Sequence, residues 1–192
     1  LPNGNEKKPN FKEDFILTKA NYLLNHSVGR PLKTSEKNFS EQLYTPWKNS
    51  LSEPWEQWLE IINDFTASLA KLFNAKQSEF CPQINLSSGL TKILMSLDRA
   101  QKKNCVILVS EIDFPGMGFA LQKSLPEDCE IRFIPSNIDI TNASVWDEYL
   151  TKDVDLVFVS HAYSNTGQLS PISRVLSMAR SRNIISILDI AQ

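Results

Sequence analysis

The sequence predicts an α/β fold in which helices cover both faces of a mainly parallel sheet, a three-layer α/β/α sandwich. Two observations lead there. Four short apolar, β-branched runs recur at residues 106–110, 130–134, 156–160 and 184–188, and three of them are apolar almost throughout, as strands buried on both faces are. The intervals at 115–124, 144–150 and 171–182 have helical composition and open near a proline or serine, the usual start of a helix. Strands and helices alternating in this way wind into a parallel sheet.

The elements follow in chain order. Residues 1–13 are polar, with prolines, a glycine and lysines, and read as a flexible arm. Tyr22, Leu23 and Leu24 lead into a short extended segment that breaks at Gly29 and Pro31. Residues 34–49 suggest one helix ending near Pro46. Ser52-Glu53-Pro54 reads as a helix start with Ser52 as N-cap. The helix that follows carries Trp55, Trp58, Leu59, Ile62, Phe65, Leu69, Leu72 and Phe73 on one broad face, a stripe suited to the core or to a subunit contact. After Cys81-Pro82, residues 84–86 read as a strand end running through Ser87, Ser88 and Gly89 into another helix. The domain boundary is placed at 50/51, with an arm and entry segment over 1–50 and a ligand-binding α/β domain over 51–192.

Composition excludes several function classes. Twenty basic and 22 acidic residues leave a net charge of −2, with no basic footprint for nucleic acid or an anionic membrane. No apolar run approaches the roughly 18 residues of a membrane span. Cys81, Cys105 and Cys129 are odd in number and widely spaced, which argues against a disulfide framework and against a zinc site. Cys105 is expected to be a packed thiol, no metal is expected, and a reducing cytoplasm fits.

In a parallel sheet the residues just after each strand converge on one edge. Here they are the segments 111–116, 160–168 and 189–192, joined by the Ser87 to Thr91 turn. Asp189 closes an apolar strand, and an ionised carboxylate there needs a cation or hydrogen-bond donors to offset lost hydration. Phe114, before Pro115, can stack on a flat ring or pack on the neighbouring helix. His161 suits acid–base work or a structural hydrogen bond, and Asn165, Thr166 and Gln168 offer neutral polar contacts. Ser88, Gly89 and Thr91 offer a phosphate backbone amides and hydroxyls at a helix start, although the lysine-bearing P-loop and the full dinucleotide fingerprint are missing. A phosphate nest, a stacking aromatic and a strand-end carboxylate match a phosphorylated, protonated aromatic ring such as pyridoxal phosphate.

Set in order along the chain, these segments resemble the class V aminotransferase group of fold-type-I pyridoxal-phosphate enzymes, and within it the kynureninase-like branch. The points of match are the Tyr22 to Pro31 entry segment, the Ser88-Gly89-Leu90-Thr91 turn, Asp113-Phe114-Pro115, the Ser160-His161 to Gln168 loop, and Asp189-Ile190-Ala191-Gln192. By that resemblance Leu90 and Thr91 contact the cofactor phosphate, Phe114 lies over the pyridine ring, and Asp189 pairs with the pyridinium nitrogen. Gln192 falls near the ring hydroxyl, Ser164 or Asn165 supplies a further cofactor contact, and Asn25, His26 and Ser27 face the substrate. There are departures. Ser164 stands where the family places Asn, with Asn165 one residue later; Gly116-Met117 replaces the Ser/Thr-Asp of kynureninases; and Gln192 replaces their His.

The resemblance implies a cytoplasmic homodimer acting on an amino acid, by transamination or side-chain cleavage. The family's Schiff-base lysine lies downstream of the Asp189 strand, so the chain is expected to be an incomplete large domain that is inactive alone. Kynurenine hydrolysis to anthranilate and alanine is the alternative reaction. A non-catalytic cofactor-binding or interaction protein is the alternative class.

Overall fold

The computed structural model describes residues 10–192, which divide into two compact units on either side of the Pro82–Gln83 junction. In the first unit, Lys12–Asp14 form a 3-10 turn and Phe15 pairs antiparallel with Leu32. Residues 1–9 of the expected arm lie outside the described residues, and residues 10–13, which are described, are exposed. Helical structure runs through residues 35–49 as α1 (Ser35–Phe39), a π-helical turn (Ser40–Tyr44) and α2 (Thr45–Asn49). Pro46 therefore does not end the helix. It sits in the first turn of α2, and the wide π turn ahead of it accommodates a residue with no N–H to donate.

Helix α3 (Trp55–Phe73) begins after Pro54 and closes at Asn74, whose left-handed conformation (φ 50°) lets the Ala75 amide reach the Ala70 carbonyl. Ser52 is not its N-cap: the Ser52 carbonyl is taken by the Ser50 hydroxyl, which holds residues 50–52 in a local turn outside the helix. Among the described residues the apolar stripe is largely uncovered. Trp55, Leu59, Ile62, Phe65, Leu72 and Phe73 are all exposed, and the buried residue of the helix is Thr66.

The second unit is the predicted sandwich. Helix α4 (Leu86–Ser96) leads to β1 (Val106–Ser110), then α5 (Pro115–Ser124), β2 (Glu130–Ile134), α6 (Ala143–Tyr149), β3 (Leu156–Ser160), α7 (Ile172–Ser181) and β4 (Ile185–Asp189). All four strands are parallel, in the order β2-β1-β3-β4. No strand forms at residues 84–86. Asn85 is extended and its side chain accepts from the Ser88 amide, so the chain enters α4 directly and Ile84 is left exposed.

Period-two alternation splits the buried strands between two cores. Val106, Leu108, Val157 and Val159 point to one side, where Trp146, Leu150, Val175 and Ala179 of the α6–α7 layer cover them. Ile107, Val109, Leu156 and Phe158 point to the other, against Leu90, Leu94, Met117 and Leu121 of α4 and α5. The Trp146 indole N–H donates to the Ile140 carbonyl at 2.9 Å, so the largest buried side chain leaves no unpaired polar atom.

Strand β4 was expected to be buried on both faces, yet it is mostly half-buried because the strand order puts it at an edge. A second correction concerns the cysteines. Cys105 and Cys129 are joined in a disulfide, with Cα atoms 4.7 Å apart. The parallel register sets Val106 opposite Glu130, which puts the residues before them side by side, 24 positions apart in sequence. Spacing along the chain does not reveal such a pair, and Cys81 is the free thiol.

Candidate functional site

The strand order fixes where a ligand site can form. From β1 the chain crosses to β2 on one side, then returns past β1 to β3 on the other. The carboxyl ends of β1 and β3 are thus a topological switch point, where open α/β sheets form a crevice. The ladders differ in length. β1 pairs with β2 over five positions, as does β3 with β4, whereas β1 and β3 are paired only at Ile107–Leu156 and Leu108–Val157. Beyond Leu108 and Val157 the ladder between the two central strands stops, and the Ser110 amide turns to the Asp113 side chain instead.

Acidic and hydroxyl side chains gather at these strand ends. Asp113, in the loop after β1, accepts the Ser110 amide on Oδ2 at 2.9 Å and the Ser160 hydroxyl on Oδ1 at 2.6 Å. Ser160 ends β3 and is opposite Asp189, the last residue of β4. The Ser170 hydroxyl donates to the Ser160 carbonyl at 2.7 Å, and the Tyr163 hydroxyl lies 3.5 Å from Ser170. Burial pushes the Asp113 carboxyl up to about 6; the bonds from Ser160 and Ser110 pull it back, and the nearby Asp189 charge raises it again. Tyr163 is pushed up to about 12, by burial first and then by Asp113.

Asp189 is 8% exposed. Its Oδ1 accepts the Ala191 amide at 2.9 Å, and the His161 amide donates to its backbone carbonyl at 2.8 Å. Together with Gly89, Leu90, Met117, Phe158 and Ile187 it lines a largely apolar cavity of about 350 Å³. Met117 and Phe158 also line an adjoining cavity of about 200 Å³ that Asp113 and Phe114 share. Among the described residues, neither Asp113 nor Asp189 forms an ion pair with a lysine or arginine. A cation is the chemistry that this pole lacks.

On the α4–α5 side the helix starts supply the opposite polarity. Asn85 takes the Ser88 amide and the Asn85 carbonyl takes the Gly89 amide, so the amides left for an anion are those of Leu86 and Ser87. Leu90 is 4% exposed and belongs to the core, and the Thr91 hydroxyl accepts from Ser124 at 3.2 Å. Phe114 precedes Pro115 at the start of α5 and is 57% exposed. Gly116 makes room for it: a Cβ there would lie 3.1 Å from the Phe114 ring and 3.4 Å from the Ser87 hydroxyl. Ring, hydroxyl and helix starts therefore meet at one place.

The loop after β3 holds Ser164 and Asn165, both exposed, at the tip of a turn closed by the Gly167 amide on the Tyr163 carbonyl and by the Ala162–Leu169 bridge. Gly167 has φ 72°, which a side chain would strain. His161 and Gln192 are exposed. Asn25, His26 and Ser27 form an exposed turn in the first unit, with Tyr22 donating its hydroxyl to the Val28 carbonyl and Arg30 over its ring. Sequence reasoning passed over Asp113, Ser160, Asn85 and Gly116 as site-forming residues. The signal for the first two was present, since Asp113 follows one apolar strand and Ser160 ends another.

A family model described as aminotransferase class-V matches residues 30–192. A kynureninase of Shouchella clausii (strain KSM-K16) is 23% identical over 191 residues, which is 94% of this chain and 44% of that protein. Among solved structures, a C-DES mutant with glycine covalently linked to its PLP cofactor superposes with a TM-score of 0.83 at 19% identity, over 96% of this chain and 50% of that one. The apo cysteine desulfurase of Thermococcus onnurineus NA1 gives a TM-score of 0.71 at 18% identity, over 88% and 43%. The chain thus spans about half the length of these relatives, and the structural likeness establishes a shared fold.

Proposed function

The chain belongs to the aminotransferase class-V family, and we propose that it is the cofactor-binding part of a pyridoxal-phosphate-dependent enzyme acting on an amino acid. One observation carries the reading: the strand-end Asp189, buried beside an apolar cavity and without a cationic side chain paired to it among the described residues. The residues present fit the cofactor. It has a protonated ring nitrogen for Asp189, a flat face for the exposed Phe114, and a phosphate for the amides at the start of α4. When bound, pyridoxal phosphate supplies an electron-accepting ring that stabilises negative charge at a substrate carbon.

What this chain contributes is charge, position and shielding. Asp189 would hold a proton on the ring nitrogen through a charge-assisted hydrogen bond. Phe114 would cover one ring face and exclude water, and Gly116 leaves the Phe114 ring the room to do so. By the family resemblance Leu90 and Thr91 would shape the phosphate end, Ser164 or Asn165 and Gln192 would bound the ring edge, and Asn25, His26 and Ser27 are assigned to substrate recognition. No lysine of this sequence is assigned to link the cofactor: the Lys92 amine bonds to Gln83, and Lys102 pairs with Asp155 at the opposite end of the sheet. We assign that role to a residue outside this sequence, so the chain by itself would be inactive.

Transamination or side-chain cleavage is the reaction class, with kynurenine hydrolysis as the second reading because a kynureninase is among the relatives. The exposed α3 stripe supports a homodimer. No helix of the described residues is long and apolar enough to cross a membrane. We place the protein in the cytoplasm, with the Cys105–Cys129 bond standing against that placement. In the full-length protein Asp189→Ala is expected to abolish turnover of amino acids while circular dichroism stays unchanged. Retained turnover removes Asp189 from the mechanism.

A further inference from the structure

We propose that Asp113 is a positioning residue: clasped between the ends of β1 and β3 by the Ser110 amide and the Ser160 hydroxyl, it adds a second negative charge to the pole where Asp189 holds a cationic ring. The inference rests on the cofactor reading above and deepens it.

Geometry is the first support. The β1–β3 ladder stops at Leu108 and Val157, and past that point the Asp113 carboxylate links the two strands, with one oxygen on the backbone of β1 and the other on the side chain that ends β3. Ser160 is also the residue in register with Asp189. The two carboxylates are therefore fixed on either side of one serine, on neighbouring cavities that share Met117 and Phe158.

Chemistry is the second. The clasp does not require a charge. A neutral amide in place of Asp113 would accept the Ser110 N–H on its oxygen and donate its NH2 to Ser160, whose hydroxyl oxygen can accept as readily as its proton can be donated. Both hydrogen bonds would survive. What a carboxylate adds is a negative charge in a half-buried place where its nearest ionisable neighbours, Asp189 and Tyr163, offer it no positive partner. A cation on the ligand answers that charge. Once it is bound, two carboxylates rather than one stabilise it, and neither is free to recruit a lysine or arginine from the described residues.

The test compares two probes on the full-length protein. One is pyridoxal phosphate; the other is its carbocyclic analogue, in which a CH group replaces the ring nitrogen. Every other contact, including any lysine linkage, is common to both. Asp113→Asn is expected to weaken pyridoxal phosphate binding by about tenfold or more, as the loss of a nearby unit charge does, and to leave the analogue's affinity unchanged. Ser160→Ala, which keeps the charge and removes the hydroxyl that aims it, is expected to lose part of the same preference. Equal weakening of both probes by Asp113→Asn would make the clasp purely structural and overturn the proposal, as would no change in either. Wild-type protein that binds both probes equally, or neither, would instead overturn the role of Asp189 on which the proposal stands.

Discussion

Asp113→Asn has a consequence for stability that separates its charge from its hydrogen bonds. The carboxyl is pushed from 3.8 to about 6 in the folded protein. Between those values the folded state keeps a proton that the unfolded state has already lost. Stability therefore falls as pH rises through that window, and the loss is complete above about pH 6. A rise of that size corresponds to about 3 kcal/mol at most, and allowance for the partial exposure of the side chain brings it to about 2 kcal/mol. The amide cannot titrate and keeps both bonds. The variant is thus expected to match the wild type at pH 4 and to exceed it by about 2 kcal/mol at pH 7.5, or about 4–8 °C in melting temperature. Urea unfolding at pH 4, 5, 6 and 7.5 measures the difference directly, and groups common to both proteins cancel. A variant less stable than the wild type at pH 7.5, or a difference that does not change with pH, would refute the assignment.

Gly116→Ala puts a methyl group 3.1 Å from the Phe114 ring. It is expected to weaken pyridoxal phosphate binding roughly fivefold or more at a stability cost below about 1 kcal/mol, on the scale of a small overpacking strain; a spectroscopic titration and a melting curve check the two parts. Trp146→Phe leaves the buried Ile140 carbonyl without its donor and removes ring volume, for an expected cost of about 2–4 kcal/mol by urea unfolding. Alkylation of the unfolded, unreduced protein is expected to label Cys81 alone, with Cys105 and Cys129 labelled only after reduction; three labels without reductant would contradict the pairing. Phe114→Ala is expected to weaken cofactor retention, and unchanged affinity would make Phe114 a packing residue.

The layers were legible in the sequence because alternation is local. Val106-Ile107-Leu108-Val109 and Leu156-Val157-Phe158-Val159 announce strands with two apolar faces, and the structure gives each face its own helical layer. What depends on strand order was not legible. Ile185, Ile187 and Leu188 look as apolar as the central strands, but only the order β2-β1-β3-β4 reveals that they lie at an edge. The same order makes the ends of β1 and β3 neighbours, and with them the Asp113–Ser160 clasp, whose partners are 47 residues apart. It also sets Cys105 beside Cys129.

Local competition explains the other differences. Ile84-Asn85-Leu86 has strand-like residues, but the Asn85 side chain captures the Ser88 amide and starts a helix there. Ser52 has the right chemistry for a cap, but its carbonyl is already engaged by Ser50. On α3 the period of 3.6 predicted the helix and its stripe, and periodicity does not say what the stripe faces. Within the site, Asp189 was found from its place at the end of an apolar strand. Asp113 lay in a segment already picked out, yet its role depends on a partner from another strand.

The central claim is that Asp189 holds a proton on the ring nitrogen of pyridoxal phosphate. The most direct measurement is the nitrogen chemical shift of ring-labelled pyridoxal phosphate bound to the full-length protein at pH 8, in the wild type and in Asp189→Asn. The account predicts a protonated nitrogen in the wild type and an unprotonated one in the variant. An unprotonated nitrogen in the wild type, or a shift that does not change on substitution, would contradict it.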